Sequence, residues 1–166
     1  GDSRTYSYLP TKYGDTLSDR IAKHVLNHHY PLYKRYSFLE RGSDERQYCS
    51  PGIDLPVCSI MRSKYGEYPE YHTSLDDCTL VTPEGLLGGY SILKKAIEAL
   101  ECNKYYRTIV LCEPQLGKRG LYPAISTIKS GLNARTITDV LMYCDGNTSL
   151  LDIAEILEPI NRIITP

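Results

Sequence analysis

Between residues 15 and 101 the spacing of apolar positions changes several times, and each change predicts an element. Leu17, Ile21, Ala22, Val25 and Leu26 share one helical stripe that runs to about His29. Thr16, with Asp19 three residues later, has the form of a capping box for that helix, and Pro31 ends it. Residues 33–39 are short, aromatic and partly alternating, and residues 55–61 are apolar, so both read as strands. The polar stretches 41–56 and 65–77 read as loops. Thr82 followed by Pro83 opens the clearest helix, a cap residue and then proline at the first helical position. Leu86, Tyr90, Leu93, Ile97 and Leu100 recur at spacings of four and three, which predicts a single buried face. Helix, strand, strand and helix in this order predict an α/β arrangement of helices layered on a sheet.

From about Gly131 the texture changes. Thr136 and Asp139 are placed to cap a helix carrying Ile137, Val140, Leu141 and Cys144. Asp145-Gly146-Asn147 reads as a turn, and Ser149 with Asp152 repeats the cap before Leu150, Ile153, Ala154 and Leu157. Two short amphipathic helices joined by a tight turn suggest a helix-turn-helix unit, with a third helix expected near Pro159 and the whole unit truncated. The expected organisation is therefore 1–116, a connection over 117–130, and a helical unit over 131–166.

Composition narrows the class. With 166 residues, 42% hydrophobic and 23% charged, and a formal net charge of −1, the chain has the composition of a soluble globular protein. No apolar run approaches the ~20 residues of a membrane span. A cleavable leader is not evident, and Gly1 in place of Met marks the start as a cut or processed end. Six cysteines without a C-x-x-C pair disfavour a zinc knuckle and suggest free, mostly buried thiols in the cytoplasm. Fifteen Tyr, with one Phe and no Trp, are concentrated toward the first half and could line a polar cleft. The last segment sets Arg135 and Arg162 against Asp139, Asp145, Asp152, Glu155 and Glu158. That balance cannot neutralise phosphates, so the helical unit is expected to dock or dimerise instead of binding nucleic acid.

The motif-bearing stretches are Arg41-Gly42-Ser43-Asp44-Glu45-Arg46-Gln47-Tyr48, then Tyr71-His72-Thr73-Ser74-Leu75-Asp76-Asp77, and Cys112-Glu113-Pro114-Gln115-Leu116-Gly117. Together with Gly1-Asp2-Ser3-Arg4-Thr5-Tyr6 these resemble the co-catalytic zinc aminopeptidases and glutaminyl cyclases. The closer resemblance is to the bacterial aminopeptidase-like branch associated with polysaccharide biosynthesis, which carries a C-terminal winged helix. It covers essentially the whole chain and implies the C-terminal part of a three-layer αβα domain followed by a winged-helix-like unit.

The same resemblance implies a site. His72, in His-Thr-x-x-Asp, corresponds to a zinc ligand, and Asp2 to a strand-end carboxylate on the other zinc. Asp76 or Asp77 is placed to orient the His72 ring, as such ligands require. Asp44 and Glu45 correspond to positions near the metal site, although Glu45 stands where many members have His, and Arg4 and Tyr48 have the chemistry to orient a substrate's carboxylate or hydroxyls. The bridging carboxylate, the first His and the Glu pair of the family have no counterpart here. His24, His28 and His29 lack the Glu that a zincin helix needs and read as a polar helix face. The implied function is that of a fragment of a zinc-dependent hydrolase acting on a peptide or other small amide, inactive alone and capable of homo-oligomerisation. The alternative is a non-catalytic binding or assembly module on the same scaffold.

Overall fold

In the computed structural model, residues 2–121 and 128–164 are described, with side chains over 2–121 and 134–158. The architecture is mixed α/β and divides into two compact units, Gly1–Leu100 and Glu101–Pro166, each taken by itself below.

In the first unit, strand β1 (Ser7–Leu9) lies at the centre of a three-stranded sheet and is buried throughout. Helix α1 (Leu17–His29) follows, and β2 (Lys34–Arg35) then pairs parallel to β1. A short helix α2 (Glu45–Tyr48) precedes β3 (Ser59–Met61), which pairs antiparallel on the other side of β1. Helix α3 (Pro83–Cys102) closes the unit. Tyr6, Tyr8, Ala22, Val25, Leu26, Tyr33 and Ile92 form its core.

The start of α1 is fixed as its sequence predicts. Thr16 and Asp19 form a reciprocal capping box. Asp19 does more than cap, because its buried carboxylate also accepts from the Tyr8 hydroxyl (2.6 Å), the Thr11 amide (2.8 Å) and the Thr11 hydroxyl (2.5 Å). Burial alone would push this carboxyl up, but the Thr11, Tyr8 and Thr16 donors outweigh it and hold it below the usual value.

Three expectations for this unit need correction. The aromatic strand is cut to Lys34–Arg35, because Ser37 and Glu40 form a second capping box that turns residues 38–40 into a 3-10 helix. The apolar segment enters the sheet only at Ser59, since Leu55 is bound to the Tyr48 carbonyl beforehand (2.8 Å). The stripe expected to be buried on α3 lies open to solvent: Leu86 is 57% exposed, Tyr90 63%, Leu93 48%, Ile97 61% and Leu100 45%. The helix packs instead through the neighbouring face of Gly85, Gly88, Ile92, Ala96 and Ala99. Small residues let it approach closely: a Cβ at Gly88 would meet the Arg62 guanidinium at 2.7 Å and the Tyr6 hydroxyl at 2.9 Å.

In the second unit, β4 (Tyr105–Arg107) pairs antiparallel with β5 (Asp145–Ser149). Helix α4 (Ile128–Met142) lies between them in sequence, and α5 (Leu150–Ile164) follows. Cys144, Ile153 and Leu157 form the core, with Val140 and Leu150 against it. The predicted turn at Asp145-Gly146-Asn147 is strand, entered with Gly146 at φ +87° beside the Arg107 side chain. Thr136 lies inside α4 and does not start it, and α5 runs through Pro159 without a break. The Ser149–Asp152 cap is present as expected. All six cysteines are free, but only Cys49 and Cys144 are buried, while Cys78, Cys102 and Cys112 are exposed, so the thiols are not mostly buried. Among the described residues no helix is long and apolar enough to cross a membrane.

Replacing Asp19 strands five donors from three segments. Asp19→Ala is expected to destabilise the first unit by about 3 kcal/mol. Asp19→Asn should cost nearly as much, because its amide turns donors toward donors. Since the folded carboxyl is held low, this contribution is complete above the ordinary carboxyl pKa and is lost as pH falls through the folded value. Urea melts of wild type and Asp19→Asn at neutral and acid pH should therefore converge toward low pH, and a gap independent of pH would refute the assignment.

Candidate functional site

Just before β1 the chain places Asp2, buried at 5% exposure, beside Arg4. One Asp2 carboxylate oxygen accepts from the Arg4 amide (2.8 Å), and the other faces the Arg4 guanidinium at 3.6 Å. Arg62, following β3, donates from Nε to the Asp2 carbonyl (2.7 Å) and lies over the Tyr6 ring at 3.8 Å. Tyr6 in turn donates to the Gly88 carbonyl on α3 (3.2 Å). Asp2 is thus anchored from the sheet and, through Tyr6, from the closing helix.

Arg4 also reaches Glu70 (3.1 Å), which ties the loop of residues 68–77 to the start of the chain. The Thr73 amide and hydroxyl donate to the Glu70 carbonyl at 3.0 and 2.8 Å, and the Tyr68 hydroxyl donates to Asp76 (3.3 Å). His72 sits at the turn of this loop, exposed, with φ +58°, a left-handed backbone that is uncommon outside glycine. Its ring stacks on Tyr71 with centroids 3.9 Å apart and planes at 17°. Asp76 is engaged by Tyr68, and no hydrogen bond between Asp76 and His72 is present. Sequence patterns single out neither Arg62 nor Glu70, since each acts through tertiary contact.

The second motif folds differently. Glu45, 2% exposed, turns inward, and its Oε1 accepts from the Gly42 amide (2.9 Å), the Ser43 amide (3.1 Å) and the Tyr65 hydroxyl (2.6 Å). Desolvation raises its carboxyl, but the Tyr65 hydroxyl and the two amides prevail and hold it low. Burial and the Glu45 charge together push the Tyr65 hydroxyl up to about 12. Asp44, at the start of α2, is exposed and makes no capping hydrogen bond, and Tyr48 is 46% exposed.

Two further features flank this edge. Arg4, Thr5, Tyr6, Tyr30, Pro31, Leu32 and Tyr33 line an open pocket of about 300 Å³, which places three of the tyrosines beside Arg4. On α1 the His24 and His28 rings lie 4.3 Å apart, and His28 Nδ1 is bonded to the His24 carbonyl (2.8 Å). That bond occupies one ring nitrogen, in keeping with a polar helix face. Among the described residues no three His, Cys, Asp or Glu side chains are grouped closely enough to hold a metal ion.

A small mixed sheet packed by helices, joined in sequence to a two-stranded, helix-bearing unit, matches a peptidase-like fold followed by a winged helix. Residues 1–103 match the family described as a domain of unknown function, DUF4910, and residues 103–165 match a winged helix-turn-helix family. The chain belongs to the DUF4910 family. It is 42% identical over 156 residues to a Clostridium acetobutylicum protein provisionally named a polysaccharide biosynthesis protein with aminopeptidase-like domain. That match spans 93% of this chain and 36% of the relative. A crystal structure of a C. acetobutylicum protein, provisionally named a peptidase, superposes with a TM-score of 0.82 at 39% identity. It covers 98% of this chain and 36% of that one, so the chain spans about a third of the length of the proteins it matches.

The Glu45 cluster makes a measurable claim. In Glu45→Gln the Tyr65 hydroxyl should titrate below about 12 but stay above the ordinary ~10, because burial, the larger cause, remains, and the unit should lose about 2 kcal/mol. Ring-labelled tyrosine NMR follows the first and urea unfolding the second. An unmoved Tyr65 titration would show that Glu45 is not its partner.

Proposed function

We propose that this chain is part of a zinc-dependent aminopeptidase-like hydrolase acting on a peptide or other small amide-containing substrate. Its contribution to metal binding would be His72 and Asp2. The observation that carries the reading is the match at 42% identity across nearly the whole chain to a protein named for an aminopeptidase-like domain. The geometry of His72 supports it. An imidazole held in left-handed backbone, exposed and braced by Tyr71, is positioned at a conformational cost that folding alone does not require.

The residues present fall short of a complete zinc site. Asp2 and His72 supply two donors where zinc sites use three or four protein ligands, so no catalytic step follows from this chain by itself. Zinc, held by a full set, would supply an activated water. What this chain offers the reaction is position: Arg62 and Arg4 hold Asp2, and Arg4 with Glu70 holds the loop that presents His72. Arg4, Asp44 and Tyr48 remain accessible for substrate, whereas Glu45 would act by shaping the Asp44 turn. The free cysteines support a reducing, cytoplasmic setting. The acidic winged helix favours a docking or dimerising role over nucleic acid.

The alternative, a binding or assembly module that retains the scaffold without chemistry, is favoured by one observation. Glu45, at a position where the family often carries His, is buried and bonded to the Gly42 and Ser43 amides and to the Tyr65 hydroxyl.

Calorimetric titration should find zinc binding to this chain weak and further weakened by His72→Ala. In a longer protein that includes the rest of the aminopeptidase-like region, His72→Ala should abolish turnover of aminoacyl-anilides and lower the zinc content. Asp44→Ala there should cost no more than ~10–100-fold. Wild-type zinc content and turnover in His72→Ala would remove the hydrolase reading and leave the binding module.

A further inference from the structure

Around its axis α3 carries three faces. Gly85, Gly88, Ile92, Ala96 and Ala99 pack on the sheet and α1. About a third of a turn away, at ~100° per residue, lie Leu86, Tyr90, Leu93, Ile97 and Leu100. All five are between 45% and 63% exposed. Lys94, Glu98 and Glu101 occupy the remaining face. A helix apolar on two faces of three is built to lie between two layers, and among the described residues of this unit one layer is present. Monomeric soluble proteins seldom leave such a contiguous apolar strip in water.

We propose that this large-residue face of α3 is an interface for the complementary part of an aminopeptidase-like chain, the part that the C. acetobutylicum relative has outside the matched region. Three observations select this occupant. Chain of the right kind exists, because the match covers only 36% of the relative. The sheet has the same incompleteness, with β2 and β3 both edge strands and β2 only two residues long, so further strands would extend the layer that α3 covers. The face is four aliphatic side chains and one tyrosine, without a charge, and so suits the apolar side of a sheet better than a charged or nucleic-acid surface. A second copy of this chain would cover the strip but leave the sheet edges unpaired. This interface rests on the family relationship and not on metal chemistry, so it stands or fails separately from the hydrolase reading.

The unmatched portion of the C. acetobutylicum relative, produced as a separate polypeptide, is the probe. Sedimentation velocity should show a one-to-one complex with this chain. Leu93→Asp with Ile97→Asp should weaken it by about 100-fold or more, from the loss of two buried aliphatic side chains. Lys94→Ala on the polar face should leave it unchanged. Because Leu93 and Ile97 are exposed in this chain, the double variant should keep the wild-type circular dichroism. Should the separate polypeptide not fold, the intact relative decides: a cysteine at the position aligned with Leu93 should resist a thiol reagent, read peptide by peptide by mass spectrometry. Reaction there at the unfolded-chain rate overturns the proposal. So does a complex indifferent to the double variant, or self-association of this chain through the same face that excludes the probe.

Discussion

Five donors converge on the carboxylate of Asp19, and the first unit is assembled around that convergence. Tyr8 brings the central strand, Thr11 the loop that leaves it, and Thr16 the first turn of α1. A buried anion is tolerable only when so surrounded, and the donors belong to segments that must fold together to reach it. The strand is three residues long and could not be held by ladder bonds alone. The angle at which α1 crosses it, and hence the placement of Val25 and Leu26 against Tyr8, follows from one polar node.

From that node the path to the candidate site is short. β1 fixes Tyr6, Tyr6 receives Arg62, and Arg62 holds the Asp2 backbone. Arg4 then extends the chain of contacts outward to Glu70 and the His72 loop. The path starts at buried Tyr6 and Asp2 and ends on exposed His72, with Arg4 and Glu70 only partly covered between them. A ligand group at the end of such a chain is braced but adjustable, which suits a residue that completes its coordination with groups contributed from elsewhere.

What could be read from the sequence was whatever depended on neighbours along the chain. The capping boxes at Thr16–Asp19 and Ser149–Asp152 stand as written, because cap and partner are three residues apart. The start of α3 at Pro83 was equally local. The failures share a cause in tertiary context. Which face of α3 would be buried depended on the small-residue stripe fitting Tyr6 and Arg62, something periodicity cannot rank against a stripe of leucines. β5 has no apolar alternation to betray it, and its pairing with β4 joins residues some forty positions apart. Ser37–Glu40 is itself a local signal, and it was overshadowed by aromatic residues suggesting strand. At the site, His72 and Asp2 were singled out through family resemblance, whereas Arg62 and Glu70, which position them, leave no mark in the sequence.

The close seat of α3 over Tyr6 has a consequence for how this sequence can drift. At Gly88 the helix touches the Arg62 guanidinium and the Tyr6 hydroxyl through the absence of a side chain. Any substituent there must push against the residue that holds the Asp2 backbone, eighty-odd positions earlier in the chain. A side chain at position 88 would therefore have to displace the tips of Arg62 and Tyr6, which couples the three positions. A helix with no chemistry of its own thus carries, at this one position, a constraint set by the residues that hold the candidate ligand Asp2.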